Sequence, residues 1–335
     1  MSFYLAAAIQ VDLENPRNRG EMERNTARML DLVDMAVEGY APFGPVRLVV
    51  FPEFAHCAPV YETRRELGER LAVEIPNEHT GRMVEKAREL DVWIQMGSML
   101  ELDRKYPGAV FNTACLVSGR GIEYRYRKVY PWIPWEVHTS PHDIEGYEEE
   151  MFPVAETEIG RIGTATCYDW LFPEVLRELV GKGAEVLLRV SAYMDPWGTA
   201  EPLDWWKVVN RCRALENVAY VVAANQGASV TRYPPFSWPG GSMIVDYDGR
   251  VVVEATAGCG EKIVVGDIQL DALRQVRRLR KGHAMPAHLR TEVHRVYGRK
   301  VFPGGGFDAE VEGGVDEAEE RIRAGKEAVR WRGDC

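Results

Sequence analysis

No stretch of this 335-residue chain stays apolar over the roughly 20 residues that a membrane-crossing helix requires, so a helical membrane protein is not expected. The opening Met1-Ser2-Phe3-Tyr4-Leu5 has no basic segment leading into a long apolar one, and the chain is expected in the cytoplasm. Basic charge is in deficit. Against 51 Asp and Glu stand 41 Lys and Arg, and the net charge of −10 argues against nucleic acid or an anionic membrane as the main partner. Cysteine is sparse: Cys57, Cys115, Cys167, Cys212, Cys259 and Cys335 show no paired spacing. In a reducing compartment such thiols are free, and most are expected to be small buried hydrophobes. Gly and Pro gather in no low-complexity tract, and no repeat of solenoid period recurs.

What the chain does have is a core. Hydrophobic residues make up 46% and charged residues 27%, the profile of a globular protein. Short segments rich in Val, Ile, Ala and aromatics predict buried strands at Leu5–Val11, Arg47–Phe51, Val92–Met99, Phe111–Val117, Gly163–Cys167, Glu185–Val190, Ala219–Ala224, Ser242–Val245 and Lys262–Gly266. Helical spacing predicts helices over Arg24–Val37, over Gly81–Leu90 with Thr80 as N-cap, from Pro173 to Gly181 or Gly183, and over Leu203–Asn217. The basic run Arg274–Lys281 carries Leu273, Val276 and Leu279 at helical spacing and reads as an amphipathic helix with a solvated basic face. This alternation without a linker predicts one α/β domain over residues 1–282. Asp248-Gly249 between two strand segments signals a hairpin, and so a mixed sheet. Residues 283–335 form an extension: Pro303-Gly304-Gly305-Gly306 reads as a flexible break, and Val315–Trp331 as a charged helix whose narrow apolar stripe is Ala318, Ile322 and Val329.

Three segments share one design, a strand running into a polar residue where a turn begins. Arg47-Leu48-Val49-Val50-Phe51-Pro52 ends on Glu53, and the carboxyl edge of an α/β sheet is where ligand groups collect. Taken alone, Glu53 reads as a surface carboxylate. Tyr124-Arg125-Tyr126-Arg127 ends on Lys128, beside a stretch of prolines and aromatics that runs from Pro131 through Trp132 and Trp135 to Glu136. Gly163-Thr164-Ala165-Thr166 ends on Cys167, directly before a helix. That position exposes sulfur at a tight turn, near free backbone N–H groups, as in the nucleophile elbow of other hydrolases.

Phe51-Pro52-Glu53, Tyr126-Arg127-Lys128 and Cys167-Tyr168-Asp169-Trp170-Leu171-Phe172-Pro173-Glu174 resemble, in order and separation, the three signature segments of the nitrilase superfamily of carbon–nitrogen hydrolases. The likeness extends over about the first 270 residues. It implies an αββα four-layer sandwich, and a Glu–Lys–Cys triad at Glu53, Lys128 and Cys167 that works without metal or organic cofactor. It also implies a small-molecule amide substrate and assembly into a homo-oligomer through outer helices and the C-terminal tail. By the same likeness Glu53 is the general base, and Lys128 and the Tyr168 N–H are the oxyanion donors. Glu136 is the second glutamate, with Glu145 as its competitor. His138 and His142 flank Ser140-Pro141, which disfavours a helix, and read as loop histidines rather than a metal pair.

Cys167-Tyr168-Asp169 departs from the Cys-Trp-Glu of true nitrilases, which counts against nitrile hydrolysis. Pro131-Trp132-Ile133-Pro134-Trp135-Glu136 and Arg189-Val190-Ser191-Ala192-Tyr193-Met194-Asp195-Pro196 resemble segments of aliphatic amidases and formamidases, so a linear amide is the leading substrate. An N-carbamoyl amine is the alternative, and a silent binding protein or redox sensor on the same fold is the reading from another class. Trp132, Trp135, Trp170, Tyr193, Trp197 and Trp238 are candidates for the mouth of the site, about half of them expected to pack in the core instead.

Overall fold

The computed structural model describes residues 3–133, 135–194, 204–227, 240–256, 260–298 and 300–329. In chain order the strands are β1 (Tyr4–Gln10), β2 (Val46–Val50), β3 (Val73–Glu74), β4 (Trp93–Leu102), β5 (Phe111–Ser118), β6 (Gly121–Arg127) and β7 (Val154–Thr157), then β8 (Gly160–Thr166), β9 (Val186–Ser191), β10 (Tyr220–Asn225), β11 (Met243–Val245), β12 (Val251–Glu254) and β13 (Lys262–Ile268). The helices are α1 (Met22–Tyr40), α2 (Arg64–Arg70), α3 (Glu78–Leu90), α4 (Pro173–Gly181), α5 (Trp205–Asn217), α6 (Leu270–Leu279), α7 (Met285–His288) and α8 (Val315–Ala328).

The strands form two sheets, ordered β13-β1-β2-β4-β5-β6 with β3 also on β4, and β12-β11-β10-β9-β8-β7. Both are mixed. The central pairs β1–β2, β2–β4, β8–β9 and β9–β10 are parallel, and antiparallel pairs close the edges: β1 with β13, and hairpins elsewhere, including the β11–β12 hairpin expected around Asp248-Gly249. Period-two alternation divides the central strands of the first sheet between two cores. In β1, Tyr4, Ala6 and Ala8 join Leu48, Val50 and the residues of the second sheet, whereas Leu5, Ala7 and Ile9 join Val49 and the inner faces of α1 and α3. The second sheet is covered in turn by α4, α5 and α6, whose Leu176, Ala214 and Leu273 belong to the first of those cores. The result is the αββα sandwich. Because both faces of β1 and β10 are covered, all their residues are buried and apolar runs replace strict alternation.

Several boundaries move. The cap of α3 is Asn77, not Thr80. The Asn77 side chain accepts from the Thr80 N–H while the Thr80 hydroxyl accepts from the Asn77 N–H, a reciprocal box that starts the helix at Glu78. Helix α1 extends to both sides of the expected span, and α2, β3 and β7 are additional elements. The basic face of α6 is less solvated than expected. Arg274 binds Glu185 through two nitrogens, Arg277 donates to the carbonyls of Val218 and Ala184, and Arg280 pairs with Asp248. Leu203 and Trp331, the expected ends of two helices, lie outside the described residues.

The extension departs most from its expected behaviour. Gly304 passes so close to the His142 ring that a Cβ there would fall 2.6 Å from Cε1, and Gly305 and Gly306 adopt φ of 75° and 81°. The glycines serve a close crossing, and residues 302–321 return to their own domain rather than swing free of it. Among the described residues, no helix is long and apolar enough to cross a membrane.

One glycine bears directly on the site. Gly97 of β4 has φ of 73°, and a Cβ there would sit 2.3 Å from the Pro52 carbonyl oxygen. This bulge, where the β4–β5 register shifts, lets the segment carrying Glu53 lie flat on the sheet. Gly97→Ala is expected to lower stability by about 1–3 kcal/mol, read as a lower urea midpoint at unchanged slope, because the backbone must leave either its φ or its contact.

Candidate active site

Glu53 leaves the end of β2 into a turn in which Phe54 has φ of 61° and donates its N–H to Ser98 Oγ at 3.0 Å. Gln226 Nε2 donates to the Glu53 carbonyl oxygen at 2.7 Å, so the backbone is held from the second sheet as well. The carboxylate is completely buried and fully engaged. Oε1 accepts from Asn112 Nδ2 at 2.8 Å and Lys128 Nζ at 2.9 Å, and Oε2 accepts from the Ala192 N–H at 3.0 Å.

Lys128 follows β6, where its N–H donates to the Asn112 carbonyl oxygen at 2.9 Å, so the residue that orients Glu53 also fixes the lysine backbone. Its ammonium is buried and donates to Glu136 Oε2 at 2.6 Å as well as to Glu53. Glu136 Oε2 also accepts from the Trp132 N–H at 2.6 Å, which curls the loop after Lys128 back onto it. One cation thus lies between two carboxylates.

Cys167 opens a 3-10 turn, Cys167–Leu171, directly after β8, with φ of 46°. A non-glycine residue in this left-handed region is strained, and such strain is typical of functional turns. Asp169 secures the turn. Its Oδ2 accepts from the Thr166 N–H at 2.9 Å and the Tyr126 hydroxyl at 2.7 Å, and its Oδ1 accepts from the Tyr130 N–H at 2.8 Å. Tyr126 and Tyr130 lie two residues to either side of Lys128, so one carboxyl ties the cysteine turn to both flanks of the lysine.

Burial and charge set the protonation states. Burial, with the Glu53 charge adding to it and Lys128 opposing, pushes the Cys167 thiol up to about 12. Burial also raises Glu53 above the usual carboxylate range, because it outweighs the pull of Lys128, and the Glu136 charge adds to the rise. For Glu136 burial raises too, but Lys128, His138 and the Trp132 N–H together outweigh it and hold the carboxyl low. For Lys128 burial opposes the charge, yet Glu136 and Glu53 more than restore it, so the ammonium persists at any physiological pH. Burial brings Asp169 to about 7. The arrangement is a neutral thiol beside a strengthened carboxylate base and a permanent cation.

The structure brings Glu53, Lys128, Cys167 and Glu136 together. Glu145 is exposed and stands apart from them, so Glu136 is the carboxylate on the lysine. Tyr168 is half-buried with its ring edge-on to Phe172, and Tyr193 is buried with its N–H on Asn225 Oδ1. Trp132 is partly covered, its ring 4.8 Å from that of the exposed Trp135. Trp170 belongs to the core: it is fully buried, and its indole N–H donates to the Ala165 carbonyl oxygen. Trp197 and Trp238 lie outside the described residues. His138 is buried and His142 exposed, and among the described residues no three His, Cys, Asp or Glu side chains group as a metal ion would need.

Sequence reasoning missed Asn112 and Asp169 as hubs, although a polar residue inside the apolar run Phe111–Val117 was a usable signal for the first. It also missed Arg189 of β9. This guanidinium is completely buried against the rings of Trp206, Tyr193 and Trp170, at 4.2, 5.0 and 5.3 Å, and its Nη1 donates to Asn210 Oδ1 at 2.8 Å.

Residues 5–278 match the Carbon-nitrogen hydrolase family, and the chain belongs to it. Among curated relatives, the formamidase of Bradyrhizobium diazoefficiens is 29% identical over 274 residues, spanning 80% of this chain and 73% of that protein. Among solved structures, a carbon-nitrogen hydrolase from Helicobacter pylori superposes with a TM-score of 0.70 at 20% identity, covering 89% of this chain and 99% of that one. An amidase from Nesterenkonia sp. superposes with a TM-score of 0.62 at 20% identity, covering 88% and 96%. These solved structures support the sandwich fold.

The high pKa of the thiol has a direct consequence. Alkylation of Cys167 by iodoacetamide is expected to keep rising with pH and show no plateau below about pH 10, since the thiolate is the reacting form. Peptide mass mapping after timed labelling measures this, and a plateau near the ordinary thiol value would show that the site does not raise the pKa.

Proposed function

We propose that the chain hydrolyses a small linear amide through a Cys167 thioester, releasing a carboxylate and ammonia or an amine. The observation that carries this reading is the convergence of Glu53 from one segment with Lys128 and Glu136 from another into one buried hydrogen-bonded chain beside Cys167, whose titration responds to all three. A thiol this weakly acidic needs its proton removed as it attacks. Glu53 takes that proton while sulfur adds to the substrate carbonyl carbon. The carbonyl oxygen becomes an oxyanion, stabilised by the Lys128 ammonium and the Tyr168 N–H. Protonated Glu53 then returns its proton to the departing nitrogen as the carbon–nitrogen bond breaks. Water, deprotonated by the freed Glu53, attacks the thioester, and the sulfur leaves as a thiol. Lys128 keeps its proton throughout, because two carboxylates flank it.

The formamidase relatives and the Pro131–Glu136 segment support a simple amide as substrate. A screen of formamide, acetamide and longer amides against N-carbamoyl amines, followed by ammonia release, tests this. Preference for a carbamoyl substrate transfers the assignment to that class, and no turnover of either leaves only a binding role. The raised thiol pKa supports a hydrolase over a redox sensor, which requires thiolate character at neutral pH. Cys167→Ala and Glu53→Gln are expected to remove at least about 1,000-fold of turnover, whereas Cys212→Ala, exposed on α5, leaves it intact. Glu136→Gln is expected to shift the acid limb of kcat/KM to lower pH. The negative charge of Glu136 raises Glu53, so removing it lets Glu53 stay ionised in more acid solution. A limb that stays in place or moves to higher pH would detach Glu136 from the base.

A homo-oligomer is the assembly this reading includes. Trp205, Val208 and Leu215 on α5 are exposed at 40%, 58% and 44%, and with Cys212 they form a seam spaced 3-4-3 along the helix. Light scattering of the full chain is expected to give at least a dimer, and a monomer at micromolar concentration would refute it.

A further inference from the structure

The family match ends at residue 278, yet the chain beyond it returns to the loop that carries Glu136. Among its described residues that loop, 129–144, has one regular element, the 3-10 turn at Pro141–Asp143. On one side it is held to the domain by the Tyr130 N–H on Asp169 Oδ1 at 2.8 Å and the Thr139 N–H on the Val110 carbonyl oxygen at 2.6 Å, and Ser140 Oγ closes it internally on the Val129 carbonyl oxygen at 2.6 Å. On the other side it meets residues 302–321. The Gly305 N–H donates to the His142 carbonyl oxygen at 3.4 Å, and the Phe307 N–H to the Asp143 carbonyl oxygen at 3.2 Å. From α8, Arg321 grips the Asp143 carboxylate with both terminal nitrogens, Nη1 at 2.8 Å from Oδ2, while Nη2 also donates to the Pro303 carbonyl oxygen at 2.8 Å. The Phe302 ring lies under that guanidinium at 4.9 Å.

The far end is pinned as well. Arg64 of α2 donates to the carbonyl oxygens of Asp308 and Val311, both at 2.6 Å, and lies over the Phe307 ring at 4.7 Å. Its N–H donates to the Gly313 carbonyl oxygen at 3.0 Å. A partly buried bidentate Arg–carboxylate pair, unlike an exposed one, fixes geometry as well as charge. Asp143 is seven positions from Glu136, at the far end of a loop whose earlier part is held by Tyr130 on Asp169 and Thr139 on Val110.

We propose that residues 302–321 act as a positioning strap. Through the Arg321–Asp143 pair they hold the loop against the domain, and so keep Glu136 on the Lys128 ammonium. The inference rests on the amidase reading for its catalytic consequence but not for its structural one. If Glu136 drifts, Lys128 loses one of its two carboxylates, and both the Glu53 pKa and the oxyanion site move. Misplacement of a catalytic group by a fraction of an ångström to an ångström costs on the order of 10- to 100-fold in rate.

The test uses the full-length chain with Arg321→Met, the conservative Arg321→Lys, and Arg323→Met as a control on the solvent side of α8, where the exposed Arg323 pairs with Glu320. Hydrogen exchange followed by peptide mass analysis is expected to show faster exchange over both 302–307 and 131–144 in Arg321→Met, with β8 and β9 unchanged. Against the amide that wild type turns over best, kcat should fall about tenfold with a smaller change in KM. Arg321→Lys should restore part of it, and Arg323→Met should match wild type. If Arg321→Met does not fold, Asp143→Asn, which keeps the shape and removes the charge, takes its place in the same measurements. Loosening of 302–307 with wild-type protection over 131–144 overturns the proposal, and so does a loosened loop with unchanged kcat. If the wild-type chain hydrolyses no amide, the proposed function fails, while the exchange comparison still decides whether the strap holds the loop.

Discussion

One ammonium group, Lys128 Nζ, has no solvent contact and must stay charged. Removing such an ion from water costs several kcal/mol even after the protein relaxes, and only close opposite charge with complete hydrogen bonding offsets it. Glu53 and Glu136 supply the charge. They are buried too, so each needs its own donors: Asn112 and the Ala192 N–H for one, the Trp132 N–H for the other. The constraint therefore spreads outward from a single nitrogen. Strand β5 must place Asn112, the end of β9 must place Ala192, and the loop after Lys128 must curl back on itself.

The sandwich meets these demands because both sheets end at the same rim. Glu53 and Lys128 come from one sheet, Cys167 and Ala192 from the other, and the parallel pairing of β8 with β9 brings the cysteine turn beside the N–H that binds Glu53. Asp169 is the brace between the sheets. Its carboxyl joins the backbone before Cys167 to Tyr126 and Tyr130, so the spacing of sulfur and ammonium does not depend on the packing of apolar side chains alone. The unusual backbone conformations at Phe54 and Cys167 lie within this braced region, which is where a fold can sustain them.

The chemistry then follows from burial more than from any one residue type. The same dry surroundings that raise Glu53 and make it a better base also raise the thiol and make it a poorer nucleophile on its own. The two shifts complement each other. The proposed thioester route requires a substrate that accepts sulfur as the proton leaves, and a resting thiol with little thiolate is protected from casual oxidation.

Most of the fold, and the cluster of Glu53, Lys128 and Cys167, were legible in the residues. Apolar runs at strand length, Gly and Pro punctuation and the three motif segments carry local information, and local information survives without coordinates: the strands, the principal helices, the mixed sheets, and Glu53, Lys128 and Cys167 as the residues to watch. Tertiary structure alone decided the remainder. Glu136 and Glu145 are chemically identical and nine positions apart, and only the path of the loop puts one on Lys128 and the other in solvent. Asn112 and Asp169 are ordinary polar residues until long-range pairing gives them partners 59 and 43 residues away. The run Pro303–Gly306 looks the same in sequence whether it is a hinge or a close crossing. What makes it a crossing is the ring of His142, brought there from more than 160 residues earlier in the chain.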